Sequence, residues 1–216
     1  LLGVDGLTFI AGGSVLINRA TLADGTAASN ADQRINWFEA TNGVNDPAEL
    51  IPAFSENLTN AVALQIDGSA ALDVFGVVLG TASFSITQGT EDVHTGNPSL
   101  GTSGTLEDAS VMVISLSNLN LFAGAGGALN DQGDPSDVSG YTIDTVGALG
   151  FNIAGGSVEM ALVRPGNLAA GDKTSYLGLE VSLAGASLVG VDGLTFVATG
   201  SVLVNKATDA AGADAG

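Results

Sequence analysis

LVGVDGLTFVATGSVLVNKAT, residues Leu188 to Thr208, repeats LLGVDGLTFIAGGSVLINRAT, residues Leu1 to Thr21. Sixteen of the 21 positions are identical, and Ile10/Val197, Ile17/Val204 and Arg19/Lys206 exchange like for like. The offset of 187 residues reads as one full period of a tandem array, 1–187, with 188–216 as the start of the next copy. Within the second copy, Leu194, Phe196, Ala198, Gly200, Val202 and Val204 fall on one face, and Thr195, Val197, Thr199, Ser201, Leu203 and Asn205 on the other. That two-residue period is a strand's; a helix would scatter both sets. Val197 and Leu203 make the second face partly apolar, so both faces are expected to be partly covered. Asp5-Gly6 and Asp192-Gly193 precede the strand and read as tight turns.

Outward from this stretch, the same alternation returns in Val62 to Val74, in VVLGTASFSITQ, in SVMVISLSNLNLFAG, in GALGFNIAGGSVEMALV and in Tyr176 to Gly190. A shorter motif recurs inside the long one. Gly12-Gly13-Ser14-Val15, Thr81-Ala82-Ser83-Phe84, Gly155-Gly156-Ser157-Val158 and Thr199-Gly200-Ser201-Val202 each place small residues before Ser and an apolar residue. One period then reads as three units, each a long strand, a kink, a second long strand and a variable loop. The variable material falls in insertions at 22–60, 88–108 and 125–146. Residues 46–54 (DPAELIPAF) suit a short helical turn that Pro52 limits. The expected fold is all-β, a β-solenoid-like stack of long strands advancing roughly 14 Å per period. The alternative is tandem β-sandwich domains.

Composition narrows the function classes. Twenty-three acidic residues face five basic ones, for a formal net charge of −18. Nucleic acid and anionic membrane surfaces are poor partners for such a chain. No apolar run reaches the roughly 18 residues of a membrane helix, so no membrane insertion is expected. The chain starts in mid-pattern without a basic region ahead of an apolar one, as expected of a piece of something longer. There are no cysteines, so disulfides, thiolate nucleophiles and Cys-ligated metals are excluded.

Residues able to carry chemistry are sparse. His94 is the only histidine, and it sits in the polar run TEDVHTG. The repeated serines lack a nucleophile-elbow context. Glu91/Asp92 and Glu107/Asp108 are adjacent in sequence and splay apart on a strand. No catalytic set emerges, and the chain is not expected to be an enzyme. The one metal candidate is Asn130 to Asp137, where Asp131, Asp134 and Asp137 surround Gly133 and offer oxygen ligands to calcium. The rival reading is a polar turn of hydrated carboxylates.

The duplicated GVDGLTF…GSVLVN strand, the absence of Cys, the scarcity of Lys and the Ala/Gly/Asp/Thr loops resemble the long tandem repeats of giant acidic bacterial cell-surface, adhesin-like proteins. The resemblance implies an extracellular or cell-surface setting and a spacer, stalk or filament role. No functional residue carries over, because no diagnostic motif is shared. The expected function is a structural module that associates with neighbouring repeats or identical subunits. The alternative is an adhesin-type module presenting loops to a glycan, ice or another surface.

Overall fold

The computed structural model describes residues 5–41, 44–46 and 50–215. The chain is all-β. Seven long strands form one open antiparallel sheet: β1 (Leu7–Ile17), β2 (Val62–Val74), β3 (Val78–His94), β4 (Thr105–Ala125), β7 (Leu149–Arg164), β8 (Ser175–Val189) and β9 (Val197–Thr208). They lie side by side in chain order. A two-stranded hairpin, β5 (Ala128–Asn130) and β6 (Thr142–Asp144), interrupts the sequence but not the sheet. A single helical turn, α1 (Trp37–Ala40), and two 3₁₀ turns, Ala31–Gln33 and Val138–Gly140, complete the elements.

The antiparallel order revises the expected rungs. The Gly/Ser kink motif sits on β1, β3, β7 and β9, which are every second strand and run in one direction. Each of the three units is therefore a pair of antiparallel neighbours. Among the described residues only the short β5–β6 hairpin packs against the large sheet, on one face. The accessible surface, 12766 Å² for 21.3 kDa, exceeds the roughly 9,100 Å² of a compact chain of that mass. A single layer accounts for the excess.

The kinks lie inside continuous strands, and those on β3, β7 and β9 fall at bulges, whereas Gly12-Gly13 on β1 keeps unbroken register with β2. Register shifts fall at Thr81/Ser83 against β4, between Leu116 and Leu121 against β7, and at Leu183/Ala186 against β9. They line up across the middle of the sheet, where Gly155 takes φ +71°. Gly13 and Gly68 face each other on β1 and β2 so closely that a Cβ on Gly13 would lie 2.2 Å from the Asp67 carbonyl oxygen. Only glycine fits there.

The insertions behave differently from one another. Residues 88–94 and 105–108, expected in a loop, extend β3 and β4, leaving only 95–104 as the connection. Exposed Glu91, Asp92 and Glu107 alternate there with buried Thr90 and Leu106, and the Thr90 hydroxyl donates to the Ser29 carbonyl. The 125–146 insertion folds back over one face. Its hairpin covers Leu79 and Phe122, both fully buried, which pack with Ala148, Leu129, Ile143 and Val189. A second small cluster, Leu106, Ala109 and Val111, lies toward the opposite end. In the 22–60 insertion the helical turn falls on Trp37–Ala40, capped by Asn36; Pro47 to Glu49 of the expected turn lie outside the described residues, and Ile51 to Phe54 are irregular.

Candidate functional site

Strand alternation and register together assign every residue of the large sheet to a face. Directly opposed residues on successive strands form rows that cross it. One row runs Val15, Ile66, Ile86, Ile114, Met160, Leu179, Val204. On the same face run Gly13, Gly68, Phe84, Leu116, Val158, Val181, Val202, and Phe9, Leu72, Gly80, Leu121, Ile153, Ala186, Ala198. Toward one end follow Leu7, Val74, Val78, Ala123, Phe151 and Leu188, beside Phe196, whose ring lies 6.1 Å from that of Phe151. These four rows contain no charged and no polar side chain. No element of the described chain packs over them.

The other face is polar at its centre. Ser14, Asp67, Ser85, Ser115, Glu159, Glu180 and Leu203 form one row. Beside it run the serines Ser69, Ser83 and Ser117, with Ser157, Ser182 and Ser201 beyond the bulge line. Ser85 Oγ donates to Asp67 at 2.6 Å, and Ser115 donates to Glu159. Glu159 and Glu180 stand directly opposite each other, an unfavourable like-charge pair. They border a shallow groove of about 510 Å³ with Val113, Ala161, Leu203 and Asn205. The 125–146 insertion packs on this face over Leu79, Phe122 and Gly12.

The sheet's end is tied to the 22–60 insertion by buried polar groups. The Asn18 side chain, 2% exposed, donates to the carbonyls of Ile35 (2.7 Å) and Thr59 (2.9 Å) and accepts from Trp37 Nε1 (3.1 Å). The buried Arg34 guanidinium donates to the carbonyls of Asn60 (2.8 Å) and Ala61 (3.1 Å), and burial lowers its pKa. Nothing in the sequence flags Asn18. Its repeat equivalent, Asn205, is exposed.

The calcium candidates are not brought together. Asp131 accepts from the Gly133 N–H (2.9 Å), Asp134 from Ser136 N (3.0 Å) and Oγ (2.6 Å), and Asp137 from Ser139 N (3.1 Å) and Oγ (2.5 Å). Each carboxylate closes its own turn. Among the described residues no three His, Asp or Glu side chains converge on a cation position. His94 ends β3, exposed, with Nδ1 3.0 Å from Thr105 Oγ1.

The same turn chemistry recurs at Asp24 and Asp172. Hydrogen bonds from the Thr26 hydroxyl and N–H hold Asp24 below the usual carboxylate range; Ser136 does so for Asp134 and Thr174 for Asp172. Several of the chain's carboxylates thus close turns. No described helix is long and apolar enough to cross a membrane. Comparison with family models, with curated proteins and with solved structures finds no match.

Proposed function

We propose that this chain is a structural repeat module whose sheet continues from copy to copy, forming an extracellular or cell-surface ribbon, stalk or fibre. One observation carries the reading. The duplicated sequence forms β1 and β9, the two edge strands of one sheet, and six strand spacings separate them. An even number of antiparallel steps leaves both copies running in the same direction. Phe9 and Phe196, Val15 and Val202, stand on the same face.

Each copy of the sequence therefore has its proper neighbour on one side. β1 pairs with β2, and β9 pairs with β8. A strand joining two periods would have both at once: β8 of the preceding copy and a β2 equivalent of the following one. The free edges, otherwise a hazard for uncontrolled pairing, become joints. Each period adds six strands, or about 29 Å at the usual strand spacing. This elongated stack keeps the growth along one axis expected of a solenoid, with single antiparallel strands in place of closed rungs. The acidic turns and the insertions at 22–60 and 125–146 would recur at every period and keep a long ribbon soluble.

The test is a protein of two periods, residues 1–187 followed by 1–216, compared with the 216-residue chain by small-angle X-ray scattering and electron microscopy. A rigid particle longer by about 29 Å is expected. Two particles joined by a flexible tether would overturn the reading.

A further inference from the structure

The apolar face is too large to be left to solvent. One residue of a strand occupies about 32 Å² of one sheet face, from the strand spacing and rise. The four uncharged rows therefore cover about 900 Å², against the 300–600 Å² of the largest patch on a typical monomer. Every structured insertion lies on the opposite face or at the sheet's ends.

We infer that this face is the contact surface for a second copy of the chain, packed face to face. The area fits. A pair of copies would bury about 1,800 Å² in total, within the range of specific, stable interfaces. The charge distribution fits as well. The acids of the strand centres, Asp67, Glu159 and Glu180, share one row on the far face. Packed sheets stand about 10 Å apart, which puts the two acid rows further apart than the screening length of about 8–10 Å at physiological salt. The formal charge of −18 on each copy then opposes pairing weakly, and added salt relieves it. The same charge turns the face away from anionic lipid. An aliphatic face seeking a dry partner of equal flatness finds one in its own copy, as paired sheets do in sandwiches. The inference concerns sheet faces, and it stands or falls separately from the joining of sheet edges proposed above.

Neighbouring residues on one edge strand separate the two. Val202, 57% exposed, is on the apolar face; Leu203, 73% exposed, is on the other. The full 216-residue protein, V202E and L203E are compared by sedimentation velocity at low and high NaCl, with circular dichroism confirming the strand content of each. The parent chain is expected to sediment at twice 21.3 kDa, more tightly paired in high salt. V202E is expected to weaken pairing at least about tenfold, the cost of burying an unpaired carboxylate being above 1.4 kcal/mol. L203E is expected to leave it unchanged. Should V202E fail to fold, V15E places the same charge at the equivalent position of the other edge strand. A parent chain that stays monomeric up to about 100 μM, where a contact of this area should be populated, would overturn the inference. So would equal loss of pairing in L203E, the sign of an edge contact. So would a monomer that floats with phosphatidylcholine vesicles, the sign of an acyl-chain surface.

Discussion

Replacing Asn18 by Ala should loosen the sheet from its 22–60 insertion, while the same change at the duplicated position Asn205 should do almost nothing. The Asn18 amide makes three hydrogen bonds in a site 2% exposed, to Ile35, Thr59 and Trp37. Alanine removes all three and leaves two carbonyls and an indole N–H without that partner. At a net 0.5–1.5 kcal/mol per bond the loss is about 3 kcal/mol, and 2–4 °C per kcal/mol makes that roughly 6–12 °C in Tm. Asn205 is exposed, so its substitution should stay within about 0.5 kcal/mol. The assay is urea unfolding followed by fluorescence of Trp37, the only tryptophan, whose indole is itself one of the bonded groups. In a two-period protein the second copy of the insertion would follow Asn205, and N205A should then cost as much as N18A. A loss below about 1 kcal/mol for N18A, or an equal loss for N205A in the single-period chain, would refute the reasoning.

Two further outcomes follow from packing and charge. Phe122→Ala empties the one fully buried aromatic site among the described residues, beside Gly124, Gly127 and Gly150, and should cost about 3–5 kcal/mol by calorimetry, with early proteolysis in 126–147. Asp24, Asp134 and Asp172 have folded-state pKa values lowered chiefly by the hydroxyls of Thr26, Ser136 and Thr174. Their contribution is therefore present above the unfolded carboxylate pKa and disappears as pH falls through the lower folded values. Melting temperatures should show no loss from these turns between about pH 8 and 5, and NMR titration should place the three below an ordinary Asp.

What the sequence made legible was the strand alternation and the class of the fold; the expectation that both faces would be partly covered fails on the apolar face, where Phe9, Val15 and Val202 are exposed. Leu64 and Ile66 share a face with Ala70, Leu72 and Val74, and the strand runs straight through Asp67-Gly68, whereas a bulge between Val62 and Leu64 turns Val62, opposite Gly89, to the other face. The pairing direction was hidden, because alternation is the same in parallel and antiparallel strands. The ends of β3 and β4 were hidden because Thr90, Glu91 and Glu107 look like loop residues until the partner strand is known. Asn18 was hidden because its partners lie 17 to 41 residues away. The acid run around Gly133 read more readily as a polar turn than as a ligand set, and each of its carboxylates closes its own turn.

The rows that cross the sheet do not end where they began in the repeat. The row starting at Val15 finishes at Val204, the counterpart of Ile17, and the row from Phe9 finishes at Ala198, the counterpart of Ala11. Each period therefore slides two residues, about 6.8 Å, while advancing about 29 Å, so a ribbon of copies would be oblique by roughly 13°. Turning one such ribbon over onto another with their long axes aligned doubles the obliquity. The strands of the two layers would then cross at roughly 26°, close in size to the 30° or so at which twisted sheets settle against each other. A two-residue stagger written into a six-strand repeat would thus set the angle of a two-layered fibre.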